Sequence, residues 1–102
     1  MKRTKSMKYN ETAESRELVL YATNCGDLYR QMITPAIENL KKKAAKGKYD
    51  ADKAVDLYYY IATEASKRYN REFGYSFSVA DRFTAAVEME AYFREDEVFY
   101  NC

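Results

Sequence analysis

The sequence predicts an all-α fold, a compact bundle of about four helices, on three observations. Apolar residues recur at steps of three and four rather than two, the period of helices and not of strands. The only three glycines, Gly26, Gly47 and Gly74, each follow such a run, where a helix is closed. Thr12, Asp27, Asp50 and Ser78 precede the runs, and short oxygen-bearing side chains of this kind cap helix starts. A chain of 102 residues suffices for one hydrophobic core and not for two.

Residues 1–10, MKRTKSMKYN, carry Lys2, Arg3, Lys5 and Lys8 with almost nothing to bury. They read as a flexible basic arm ahead of a single helical domain over residues 11–102. No apolar run follows the arm, so it does not read as a signal peptide. The longest uncharged apolar run, Leu57 to Ala62, is far too short to span a bilayer. A soluble cytoplasmic protein is the expectation, with no membrane contact.

The first helix begins near Thr12, presents Leu18, Leu20, Tyr21 and Cys25, and stops at Gly26. The adjacent Val19 and Leu20 leave a short strand open there. Asp27 caps a second pattern, Leu28, Met32, Ile33, Ala36, Ile37, Leu40 and Ala44, that ends at Gly47. Pro35 interrupts it, because proline lacks one ladder donor and collides with the preceding turn. Either the helix kinks there or Thr34 caps a new helix with Pro35 at its first position; the kink is the preferred reading. Glu38 stands one turn before Lys42 and can pair with it. The tight link at Gly47–Tyr49 makes the second and third helices antiparallel neighbours.

The third helix, Asp50 to Gly74, organises the rest. Asp50 caps it, Asp52 and Asp56 favour the positive dipole end, and Lys67, Arg68 and Arg71 the negative end. Ala54, Leu57, Tyr58, Ile61, Ala65, Tyr69 and Phe73 share its inward face. Ser78 with Asp81 approximates a capping box for the fourth helix, whose buried face reads as Val79, Phe83, Ala86, Val87 and Ala91. The core therefore includes Leu28, Ile37, Leu40, Leu57, Ile61, Phe83 and Val87. Glu88, Glu90, Glu95, Asp96 and Glu97 oppose a single Arg94 at a helix end that disfavours negative charge. A basic segment can offset them, and the N-terminal arm is the candidate within the chain. The tail Val98-Phe99-Tyr100 is apolar enough to dock.

The chemistry is sparse. There is no histidine, the commonest general base and metal ligand, and three isolated glycines cannot form a phosphate loop. Cys25 and Cys102 form neither a disulfide framework nor a metal spacing. Asp52/Asp56 is a helix-start pair, and Glu88 and Glu90 point to different sides of a helix. No enzyme, cofactor or metal is expected. The net charge of +1 favours neither a nucleic-acid binder nor an acidic mimic, so the layout matters more than the sum.

Two candidate surfaces follow from that layout. Tyr58, Tyr59 and Tyr60 cannot all face inward, so Tyr59 and Tyr60, with Arg71 on the same helix and Tyr29 and Arg30 near the start of the second, are the candidate partner-binding residues. The plain alternative is that these tyrosines seal the edge of the core. Lys41, Lys42, Lys43, Lys46 and Lys48 with Lys67 and Arg68 are the candidates for nucleic-acid or nucleotide contact, although antiparallel packing places the two groups far apart. They equally suit solvated helix ends.

The pattern Leu28-Tyr29-Arg30, Ile37-Glu38-Asn39-Leu40-Lys41-Lys42-Lys43, Gly47-Lys48-Tyr49-Asp50, Lys67-Arg68-Tyr69, Glu72-Phe73-Gly74 and Phe77-Ser78-Val79-Ala80-Asp81-Arg82 resembles a group of small, uncharacterised helical proteins of bacteriophages and prophages. The resemblance runs from about Glu17 to Phe93 and carries over no functional residue. It implies context. Small phage proteins often bind and disable a host factor, so an inhibitor of a host protein, including an anti-CRISPR or other anti-defence protein, is the expectation.

Overall fold

A computed structural model describes residues 12–95. The basic arm of residues 1–10, the acidic residues Asp96 and Glu97, the apolar tail Val98-Phe99-Tyr100 and Cys102 lie outside the described residues. Within them 86% of positions are helical and no strand occurs, as the periodicity predicts. No helix among them is long and apolar enough to cross a membrane.

Helix α1 spans Ala13–Asn24. The Thr12 hydroxyl accepts from the Ser15 amide while the Ser15 hydroxyl accepts from the Thr12 amide, both at 3.0 Å, a reciprocal cap that fixes a helix start. The strand left open at Val19-Leu20 does not form. Cys25, with extended backbone, separates α1 from α2, which starts at Gly26. Asp27 lies inside α2 and not at its cap. The helix α2 is α-helical at Gly26–Leu28, π-helical at Tyr29–Ile33 and α-helical again at Thr34–Ala45. In the π turn the Thr34 amide donates to the Tyr29 carbonyl, five residues back. Widening the turn just before Pro35 accommodates the missing donor and the ring. Thr34 itself has helical backbone, so no new helix is capped there.

Helix α3 spans Ala51–Phe73. Asp50 Oδ1 accepts from the Asp52 and Lys53 amides at 3.0 and 3.3 Å. At the other end Gly74 has φ +74°, the left-handed conformation glycine adopts freely, and its amide donates to the Asn70 carbonyl at 2.7 Å. The helix α4 spans Val79–Glu95, with the Ser78 hydroxyl accepting from the Asp81 amide at 3.0 Å.

The most extensive packing is between α3 and α4, with α1 laid against both. Small residues allow it: Ala54, Ala62 and Ala65 on α3 and Ala85 and Ala86 on α4 are buried, so the two backbones approach closely. Leu18, Leu28, Ile33, Ile61 and Met89 fill the space between helices. Of the expected core, Leu28, Ile37, Leu40 and Ile61 are buried, and Leu57 and Val87 are half-buried.

Four expected positions are overturned. Phe83 is 52% and Phe73 59% exposed, and Val79 and Leu20 also face outward. Ala86 and Ala91 are buried as expected, α4 adds Ala85, Met89 and Phe93 to the core, and the consecutive residues Glu88, Met89, Glu90 and Ala91 are all buried. Four successive helical residues point to every side, so α4 is enclosed over these four positions, while Tyr92 beyond them is exposed. Arg16 reaches Glu88 from α1 at 3.0 Å, Tyr58 stacks on Phe93 from α3 at 5.7 Å, and Tyr49 reaches Glu90 from the link before α3 at 2.7 Å.

Tyr58 is 1% exposed, and its hydroxyl has no hydrogen-bond partner among the described residues. The Tyr58→Phe substitution keeps the ring and removes a desolvated polar group. It should be neutral or stabilising by about 1 kcal/mol in urea denaturation. A loss of about 1 kcal/mol or more would show that the hydroxyl is satisfied.

Candidate protein-binding surface

The structure separates the candidate residues instead of gathering them. Tyr60 and Arg71 are exposed and share the outer face of α3 with Lys67. Tyr59 is half-buried, with the Arg82 guanidinium 5.8 Å above its ring and donating to its hydroxyl at 3.3 Å. The same guanidinium donates to the Phe77 carbonyl at 2.8 Å, so Tyr59 is part of the seam that ties α4 to the preceding loop. Tyr29 is half-buried in the π turn and lines a groove of about 710 Å³ with Leu20, Tyr92 and Phe93. Arg30 is exposed and paired with Asp27 at 2.7 Å.

The basic residues divide as well. Lys42, Lys43, Lys46 and Lys48 are exposed and Lys41 is half-buried; no ion pair between Glu38 and Lys42 forms. Lys67 is exposed, but Arg68 is half-buried between Glu64, at 3.5 Å, and the Cys25 sulfur, at 3.9 Å. Lys48 precedes α3 and Lys67 lies near its far end, roughly 25 Å apart at about 1.5 Å rise per residue. They do not form one basic face.

A different surface is built from α1, the end of α3 and the loop after it. Tyr69 is its hub, with ring centroids 5.1 Å from Tyr21, 4.6 Å from Phe73, 6.3 Å from Tyr75 and 4.9 Å from Phe77. Most of these pairs are edge to face, the geometry ring quadrupoles favour. Phe77 is buried beneath, while Phe73 is 59% and Tyr75 44% exposed. Carboxylates border the rings. The Tyr21 hydroxyl donates to Glu72 at 3.1 Å and the Tyr69 hydroxyl to Glu17 at 3.3 Å. Both phenols are pushed above the ordinary tyrosine value, through burial first and then through these carboxylates. Two hollows flank α1 here, one with Glu17, Leu20, Tyr21, Glu72 and Phe73, the other with Glu14, Glu17, Tyr69, Tyr75 and Phe77.

The sequence reading assigned Tyr69 and Phe73 to the core stripe and gave Tyr75 and Phe77 no role. The signal available was density: Tyr69, Phe73, Tyr75 and Phe77 place four rings within residues 69–77. A helix of this length outruns its partners at one end, so its last aromatic turn emerges at the surface. Among the described residues no group of three or more His, Cys, Asp or Glu side chains could hold a metal ion. Compared with family models, curated proteins and solved structures, the chain matches none of them.

Proposed function

We propose that the chain acts by stoichiometric binding to another protein, without catalysis, through the aromatic surface centred on Tyr69. The observation that carries the reading is the exposure of Phe73 and Tyr75 within a ring network fixed to the bundle. Large rings held in place lose little entropy on binding, and anchors of this kind concentrate the energy of an interface. The lack of histidine supports the non-enzymatic part. The phage-like pattern of residues adds context, in which the target is a host factor such as restriction or CRISPR machinery and the outcome is its inhibition.

The test is capture from a bacterial host lysate by the wild type and by the double variant Phe73→Ser/Tyr75→Ser, with circular dichroism to verify the fold. Both positions are exposed, so the helical signal should persist. Loss of an anchor worth about 2 kcal/mol corresponds to roughly a 30-fold weaker complex, and a stoichiometric partner should disappear. The same partner retained by a folded double variant, but lost on Tyr60→Ser, would move the site to the outer face of α3.

The second reading, nucleic-acid binding, is favoured by one observation: Lys42, Lys43, Lys46 and Lys48 are exposed together at the end of α2. In the same samples a labelled oligonucleotide bound tightly at physiological salt, and released by Lys42→Glu/Lys43→Glu/Lys46→Glu, would place function there. Weak, steeply salt-dependent binding would be the nonspecific phosphate attraction that any lysine cluster gives.

A further inference from the structure

We propose that the hollow between α1 and the loop after α3 seats a lysine or arginine side chain from a basic segment of a partner protein. The inference rests on the protein-binding reading above and names the partner's chemistry. The hollow has a volume of about 210 Å³ and is lined by Ala13, Glu14, Glu17, Tyr69, Tyr75 and Phe77. That is below the roughly 300–1,000 Å³ of sites for cofactors and comparable ligands, but it accommodates the head of one side chain. Its three rings stand steeply to one another, at 66° for Tyr69 and Phe77, 79° for Tyr75 and Phe77 and 78° for Tyr69 and Tyr75. Phe77 is buried at the floor, and Tyr75, 44% exposed, is the most open of the three rings and offers π surface to a cation.

Charge narrows the occupant. The lining holds two carboxylates and no basic residue, so a phosphate or an acidic side chain is repelled, and an apolar side chain leaves the carboxylates unused. Glu17 also borders the neighbouring hollow with Glu72, which continues the negative edge along α1 for further basic residues. The carboxylate of Glu17 is held beside the rings by the Tyr69 hydroxyl at 3.3 Å. A fixed acceptor loses less freedom on binding than a mobile one.

The test is calorimetric titration of the full chain with a capped peptide of alternating lysine and glycine, its arginine counterpart and its glutamate counterpart. The basic peptides should bind and the acidic one should not. Glu14→Gln/Glu17→Gln and, separately, Tyr75→Ala should each weaken binding by about tenfold with unchanged circular dichroism melts. Glu38→Gln, an exposed carboxylate on α2, should leave it unchanged. Equal weakening by Glu38→Gln would reduce the effect to net charge and overturn the proposal, as would no binding of the basic peptides. Self-association that vanishes in Glu14→Gln/Glu17→Gln would assign the hollow to a second copy and likewise overturn it. If target capture depends on Phe73 and Tyr75 while the basic peptides fail to bind, the protein-binding reading stands and only this inference falls.

Discussion

Replacing Glu90 by alanine should cost the fold about 3 kcal/mol, the lower end of the roughly 3–5 kcal/mol seen when one partner of a buried ion pair is removed. Glu90 is 4% exposed. Its Oε2 accepts from Arg94 Nε and from the Tyr49 hydroxyl, both at 2.7 Å, and its Oε1 accepts from Arg94 Nη2 at 3.3 Å. One carboxylate therefore ties the end of α4 to the link that precedes α3. Alanine removes the acceptor shared by a guanidinium and a phenol and leaves a cavity as well. The lower end applies because the Arg94 side chain is partly exposed and water can solvate it. Glu90→Gln keeps the shape and one acceptor oxygen but loses the charge, so it should cost less. Glu14→Ala, on the exposed face of α1, should change stability by no more than about 0.5 kcal/mol. Urea denaturation followed by circular dichroism measures all three. A cost below about 1 kcal/mol for Glu90→Ala would show that the pair is no better than an exposed one.

Glu90 also marks where the sequence stops being legible. The caps and ends of α3 are local events: Asp50 bonds amides two and three residues away, and Gly74 closes on Asn70. Such features are readable from neighbours alone. So is the π turn's cause, since Pro35 announces that the ladder must change, although not that it changes by widening. The burial of α4 is not local. Val79, Phe83 and Val87 make the better apolar stripe by spacing, but α1 and the link before α3 bring Arg16 and Tyr49 to Glu88 and Glu90, 72 and 41 residues away in sequence. With those partners the carboxylates turn inward, and Val79 and Phe83 turn out while Val87 stays half-buried. Arg16 of α1 gives Glu88 a basic partner, while the offset expected from the N-terminal arm lies outside the described residues. For the candidate surface the difficulty is the reverse: a ring in a stripe reads as core, and only the end of the bundle shows that Phe73 emerges from it.

Raising the pH above about 10 should unfold the chain in a transition governed largely by Tyr58 and Tyr49. Burial lifts the Tyr58 phenol well above its ordinary value of 10.0, and the negative charge of Glu90 lifts it further. Burial also leads for Tyr49, followed by its hydrogen bond to Glu90 and the charge there, with Arg94 opposing. The folded state thus holds these protons more tightly than the unfolded chain, whose tyrosines titrate near 10. The stabilisation is complete below that pH and is lost as pH rises towards the folded values, because only the unfolded state then gains by ionising. The slope for Tyr58 approaches about 1.4 kcal/mol per pH unit. Half-buried Tyr49 adds less, since solvent screens its site. By about pH 12 the loss reaches roughly 3–5 kcal/mol, comparable with the whole stability of a marginal domain of this size. Urea denaturation at stepped pH, with tyrosinate absorbance as a second probe, should show unfolding and ionisation rising together. In Tyr49→Phe/Tyr58→Phe the same slope should flatten even if the neutral-pH stability differs, because no buried phenol remains at either position to ionise on unfolding. An undiminished slope in that variant would place the alkaline transition elsewhere.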